Sequence, residues 1–195
     1  MSDNLIESNN SSSNSGGSNS GNSGKHLRAV VESSLLIALA SVLSLITVFH
    51  MPQGGSVTLL SMLPILIIGV RHGLGFGLLA GFVYGALQIV LGGIALHLGS
   101  YLMDYILAFG ILGLSGLFTH SRHGLAKSVL LCIPLRFILH TASGVLFFAS
   151  YAPEGTPALI YSILYNGSYM LPEGILTLIG AWLLQKYLPR YVARP

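Results

Sequence analysis

The sequence predicts an all-α integral membrane protein of six transmembrane helices, with the N and C termini cytoplasmic. Three observations predict it. Of 195 residues, 52% are hydrophobic and only 8% charged, where a soluble domain carries roughly 25% charged residues. Mean hydropathy is +0.74, so much of the apolar surface must face lipid rather than water. Apolar runs follow one another closely from Leu27 onward, and a bilayer-spanning helix needs about 20 mostly apolar residues. Finally, the basic residues sort almost entirely to one side of a six-helix path.

The chain opens on a stretch of Ser, Asn and Gly that runs to Gly24. Such a segment buries too little apolar surface to offset its ordering entropy. It also lacks the basic start, apolar middle and cleavage site of a signal peptide. Residues 1–25 therefore read as a disordered tail and residues 26–195 as the six-helix membrane domain. The expected helices are Leu27–Phe49, Ser56–Val70, Gly73–Leu91, Leu98–Phe118, Ala126–Ser150 and Ala158–Leu188. The second is short for a span and contains Pro64, which favours a tilted, kinked or partly interfacial segment. Pro172 is expected to kink the sixth, because its missing N–H interrupts the backbone ladder.

Charge tests this path. Lys25 and Arg28 precede the first helix, Arg71 lies between the second and third, and Arg122 and Lys127 lie between the fourth and fifth. Lys186, Arg190 and Arg194 end the chain. The other three loops hold no Lys or Arg, so these residues share one side, which the positive-inside rule makes cytoplasmic. A five-helix path would split them.

The remaining basic residue, Arg136, falls inside the fifth helix, with Asp104 in the fourth and Glu173 in the sixth. Ionisable groups at bilayer depth are costly and mark a function or an ion pair. At 1.5 Å per residue, Asp104, Asn166 and His140 lie roughly 9, 12 and 15 Å below the outer ends of their helices. They are placed to converge on one outward-facing pocket. Arg136 and Glu173 lie deeper, at roughly 21–22 Å, and their matching depth reads as a structural ion pair; the other reading has Arg136 brace the pocket floor. Arg136, His140, Gly144 and Phe148 recur every four residues and share a helix face. Asp104 has Tyr101 and Tyr105 as neighbours, and Asn166 shares a face with Tyr169 and Glu173. A carboxylate, an amide, an imidazole and several aromatic rings suit a small cationic heteroaromatic ligand. These residue types do not by themselves name it.

Small residues form two further patterns. Gly77, Gly81 and Gly85 repeat every four residues in the third helix, a spacing that allows close helix packing. Ser34 and Ala38 make a shorter stripe on the first helix, available to a partner subunit. Cys132 is the only cysteine, which excludes an internal disulfide framework or a cysteine-cluster metal site. An intramembrane hydrolase built on Ser100, His97 and His140 is the alternative from another class. It has neither a Gly-x-Ser-x-Gly elbow nor a His-Glu-x-x-His zinc motif to support it. No phosphate-binding loop is present either, so ATP hydrolysis is not expected of this chain.

Five stretches carry a family resemblance: Met51–Ser56, Leu102–Tyr105, Leu135–Gly144, Tyr151–Pro157 and Tyr161–Asn166. In order and spacing the chain resembles the thiamin-specific substrate-binding subunit of energy-coupling factor transporters, over about Leu27 to Leu188. The resemblance implies high-affinity capture of thiamin outside the plasma membrane of a prokaryotic cell. It also implies partners: a transmembrane coupling subunit and two ATPase subunits. No enzymatic activity, cofactor, metal or nucleic acid is implied; an S component for another vitamin is the alternative. The family's acidic contact falls on Asp104 and its hydroxyl contact on Tyr105. Its imidazole falls on His140, its close-approach glycine on Gly144, and its tyrosine and asparagine on Tyr161 and Asn166. Ser34 and Ala38 match the small residues that meet the coupling subunit. The chain departs from some members in carrying Asp104 rather than Glu, Arg136 rather than Lys, and Phe148 and Gly55 where tryptophans line the site.

Overall fold

The computed structural model describes residues 17–52, 54–93 and 97–192. Helix α1 spans Gly17–Leu45, and a hairpin of β1 (Thr47–His50) and β2 (Ser56–Thr58) follows. Then come α2 (Leu63–His72), α3 (Leu74–Val90), α4 (Leu98–Phe118) and α5 (Gly124–Phe147). A short 3-10 turn over Ala149–Tyr151 leads to α6 (Ala158–Tyr187) and a terminal turn, α7 (Pro189–Val192). Helix α1 begins inside the Ser/Asn/Gly stretch that reads as a tail; once an apolar helix is nucleated, extension by a turn or two costs little. Residues 1–16 of that expected tail lie outside the described residues.

Among the described residues, four helical segments are long and apolar enough to cross a membrane: Ser23–Leu45, α4, α5 and α6. Their outward faces are apolar, with Leu35, Val42, Leu130, Ile138, Leu146, Leu164 and Leu171 exposed, as a lipid-facing surface requires. The expected second span is corrected. Its first residues form β2, and α2 proper has 10 residues, about 15 Å of helix against a hydrocarbon core of about 30 Å. Leu63, Ile65, Leu66, Ile68 and Val70 of α2 are all buried, the signature of a helix that is apolar all round because protein surrounds it. Pro64 sits in the first turn of α2, where its missing N–H costs nothing, so it starts the helix instead of kinking it. Helix α6 continues through Pro172 without interruption.

The first expected helix is also corrected at its end. Thr47–His50 is a strand, paired antiparallel with Ser56–Thr58 in the register Thr47↔Thr58, Phe49↔Val57 and His50↔Ser56. The turn is closed by a hydrogen bond from the Met51 N–H to the Gly55 carbonyl, 2.6 Å, and Gly54 takes φ of +93°, a conformation glycine adopts without strain. β-Branched Thr47, Val48, Val57 and Thr58 around a Pro/Gly turn account for the hairpin.

The glycine stripe of α3 packs on the backbone of α4. A Cβ at Gly77 would lie 2.6 Å from the Gly113 carbonyl oxygen, and one at Gly85 would lie 2.5 Å from that of Tyr105. The crossing thus holds α4, and the residues it carries, at near-backbone contact distance.

At the predicted cytoplasmic end, Glu32 of α1 meets α2. Arg71 Nε lies 2.6 Å from Glu32 Oε1 and His72 Nε2 lies 3.3 Å from Oε2. Burial lowers the His72 pKa below its ordinary value of 6.5, outweighing the opposing pull of Glu32. The folded state therefore binds fewer protons than the unfolded state as pH falls through that region, and the contribution of His72 to stability declines on acidification. The melting temperature of the detergent-solubilised protein is expected to drop between neutral pH and about pH 5.5 by a component that His72→Gln removes. An identical pH profile for that variant would rule out His72 as its source.

Candidate ligand-binding cavity

Helices α3 to α6 and the hairpin enclose a cavity of about 300 Å³. Asp104 and Tyr105 reach it from α4, in a π-helical turn that spans Leu102–Leu107. A π turn inserts a residue into the helical repeat and re-aims the side chains it carries, which is why such turns recur at functional sites. His140 and Gly144 reach the cavity from α5, Phe148 from its C-terminal cap, and Tyr161 and Asn166 from α6. All seven expected ligand-binding positions thus lie on one cavity. Of the supporting pair, Arg136 lines it; Tyr101 stands behind, its ring 6.0 Å from that of Tyr105. Ser34 and Ala38 are exposed on α1.

Two α5 residues hold the Asp104 carboxylate. His140 Nδ1 lies 3.0 Å from Oδ1 and the Ser143 hydroxyl donates to Oδ2 at 2.7 Å. His140 Nε2 is buried with no partner among the described residues. Asn166 is largely occupied: its amide nitrogen donates to the carbonyls of Ser162 (2.9 Å) and His140 (3.3 Å). Its side-chain oxygen accepts from Tyr169 at 2.9 Å, leaving one lone pair for a ligand. At Gly144 a Cβ would lie 2.6 Å from Ser162 Oγ, so this glycine lets α5 and α6 approach.

The expected ion pair between Arg136 and Glu173 does not form. The Arg136 guanidinium lies over the Phe109 ring, 4.2 Å from its centroid, with Nη1 2.8 Å from Met62 Sδ. Glu173 Oε1 accepts from the Thr58 hydroxyl at 2.7 Å, and Thr58 in turn contacts Ser61 at 2.6 Å. Similar depth fixes height in the bundle but not the direction a side chain points. Both groups line the cavity. The lining thus sets two acidic side chains, Asp104 and Glu173, against the one guanidinium of Arg136.

The largest contribution missed from sequence is the hairpin, which adds Met51, Ser56 and Thr58 to the lining beside Gly55, the one hairpin position that the resemblance places at the site. It is tied to α6 where the Gly55 N–H donates to the Tyr165 hydroxyl at 3.2 Å, and a Cβ at Gly55 would run into the Tyr169 ring at 2.6 Å. The readable signal was Pro-Gln-Gly-Gly between β-branched residues. Tyr84 and Gln88 of α3 also line the cavity, and nothing in their local sequence marks them.

Residues 30–193 match the family described as thiamine transporter protein (Thia_YuaJ). The chain belongs to that family. It is 38% identical to the thiamine transporter ThiT of Bacillus subtilis (strain 168), over 87% of this chain and 96% of that protein. It is 29% identical to the thiamine transporter ThiT of Lacticaseibacillus paracasei, over 87% of this chain and 93% of that protein. In three dimensions it is similar to the solved structure of ThiT from Listeria monocytogenes, with a TM-score of 0.77 and 27% identity, covering 87% of this chain and 99% of that one. Membership of a transporter family lends no support to the hydrolase reading. Ser100, the nucleophile of the hydrolase reading, donates its hydroxyl to the His97 carbonyl at 2.8 Å and accepts from the His97 N–H at 3.3 Å, so it closes the first turn of α4 onto the cap residue His97.

Proposed function

We propose that the protein is the high-affinity thiamin-binding subunit of an energy-coupling factor transporter, in the plasma membrane of a prokaryotic cell. The observation that carries this reading is the partly buried Asp104 carboxylate, held by His140 and Ser143 at the wall of an aromatic-lined cavity. Thiamin carries a permanent thiazolium charge, an aminopyrimidine and a hydroxyl. Asp104 pairs with the cation, and Phe148 stacks on a ring. Tyr105 meets the hydroxyl, while His140, Tyr161 and Asn166 orient the pyrimidine. Family membership supports the same ligand. Six membrane-embedded helices, with α2 enclosed by the others and both termini cytoplasmic, agree with the placement of the basic residues. Calorimetric titration of thiamin tests the ligand assignment.

A transmembrane coupling subunit and two ATPase subunits supply the driving force. Ser34 and Ala38 lie exposed on α1, outside the cavity lining, and form the face on which the coupling subunit docks. In cells supplied with the coupling and ATPase subunits, Ala38→Trp is expected to abolish thiamin uptake while the purified variant binds thiamin as before. Uptake at the unsubstituted rate would remove α1 from the docking face.

A further inference from the structure

Although the buried Ser33, Ser115 and Thr141 hydroxyls have no hydrogen-bond partner among the described residues, several hydroxyls on these helices satisfy themselves locally. Ser41 donates to the Ile37 carbonyl, Ser128 to that of Gly124 and Thr177 to that of Glu173, each four residues back. That is the usual solution for a hydroxyl inside a helix. Ser143 departs from it. It is fully buried, yet its hydroxyl crosses from α5 to α4 and donates to Asp104 Oδ2 at 2.7 Å. The cavity lining includes Asp104 and His140 but not Ser143, which stands behind the carboxylate. His140, nearly one turn earlier on α5, takes the other oxygen at 3.0 Å. The carboxylate is therefore gripped at both oxygens from one helix, while the π turn at Leu102–Leu107 sets where it emerges from the other.

We propose that Ser143 is a positioning residue for cation recognition, fixing the rotamer of Asp104 without touching the ligand. The inference rests on the thiamin reading above. A hydrogen bond to a charged group strengthens that group's hold in a low-dielectric site. Losing it is expected to weaken the ligand's ion pair more than its contacts with the neutral rings.

The test uses the full chain in detergent and two probes: thiamin, and its neutral deaza isostere in which carbon replaces the thiazolium nitrogen. Ser143→Ala is expected to weaken thiamin binding by about tenfold to a hundredfold and to leave isostere binding unchanged. Ser143→Thr, which keeps the hydroxyl, is expected to restore thiamin binding. Unchanged thiamin affinity in Ser143→Ala overturns the proposal, as does an equal loss for both probes, which marks a packing role. Asp104→Asn separates this from the parent reading. If it abolishes the preference for the cation while Ser143→Ala keeps that preference, Ser143 plays no part and the thiamin site stands. If Asp104→Asn binds thiamin like the unsubstituted protein, both fail.

Discussion

Asp104→Asn is expected to weaken thiamin binding by about a hundredfold or more. The substitution is nearly isosteric, so packing around the π turn survives it. What changes is charge and hydrogen-bond polarity. The Ser143 hydroxyl and His140 Nδ1 both address this carboxylate, at 2.7 and 3.0 Å. An amide offers one acceptor and one donor, so one neighbour meets an N–H where it had an oxygen. A cationic ligand also loses its counter-charge at a desolvated wall. Truncating one side of a buried, hydrogen-bonded charge pair costs about 2–5 kcal/mol, and each 1.4 kcal/mol is about a factor of ten. Calorimetry on the purified variant measures it, and an affinity equal to that of the unsubstituted protein would remove Asp104 from the cation's environment.

Gly81→Val is expected to have a large effect on stability. A Cβ at Gly81 would lie 2.5 Å from the Phe109 carbonyl oxygen and 3.0 Å from the Gly110 Cα. These are backbone atoms, which cannot rotate away as a side chain would, so α3 and α4 must separate. Overpacking costs about 1–3 kcal/mol when neighbours can adjust, and a backbone neighbour puts this case at or beyond the upper end. The damage extends to the cavity, because Phe109 carries the Arg136 guanidinium on its face and meets the Tyr84 ring edge-on at 4.9 Å. The variant should melt well below the unsubstituted protein in the same detergent and bind thiamin weakly. An unchanged melting temperature would mean that the crossing is looser than its geometry implies.

Much of the cavity was legible because membranes impose depth. Once a helix must span, counting residues from its end gives height, and Asp104 and His140 were placed within a turn or so of each other on different helices; their side chains meet at 3.0 Å. Azimuth is not set by depth. Arg136 and Glu173 share a height, yet one turns to Phe109 and Met62 and the other to Thr58. The hairpin escaped because Thr47–His50 continues the apolar run of α1 without a break, and hydropathy does not distinguish a strand end from a helix end. The turn residues Pro52, Gly54 and Gly55 held that information locally. The π turn around Asp104 has no sequence mark at all, since Leu102–Leu107 reads as ordinary helix and only packing against α3 and α5 decides otherwise. The glycine stripe of α3 was readable because close backbone approach leaves no room for a Cβ.

Capture of thiamin is the central claim, and titrating thiamin into the detergent-solubilised full chain by calorimetry tests it most directly. Tryptophan fluorescence is a poor substitute, because Trp182 is exposed near the end of α6 and does not line the cavity. Saturable one-to-one binding at submicromolar affinity is the expected result. A sample that retains its helical circular dichroism and gives no saturable heat with thiamin would contradict the account.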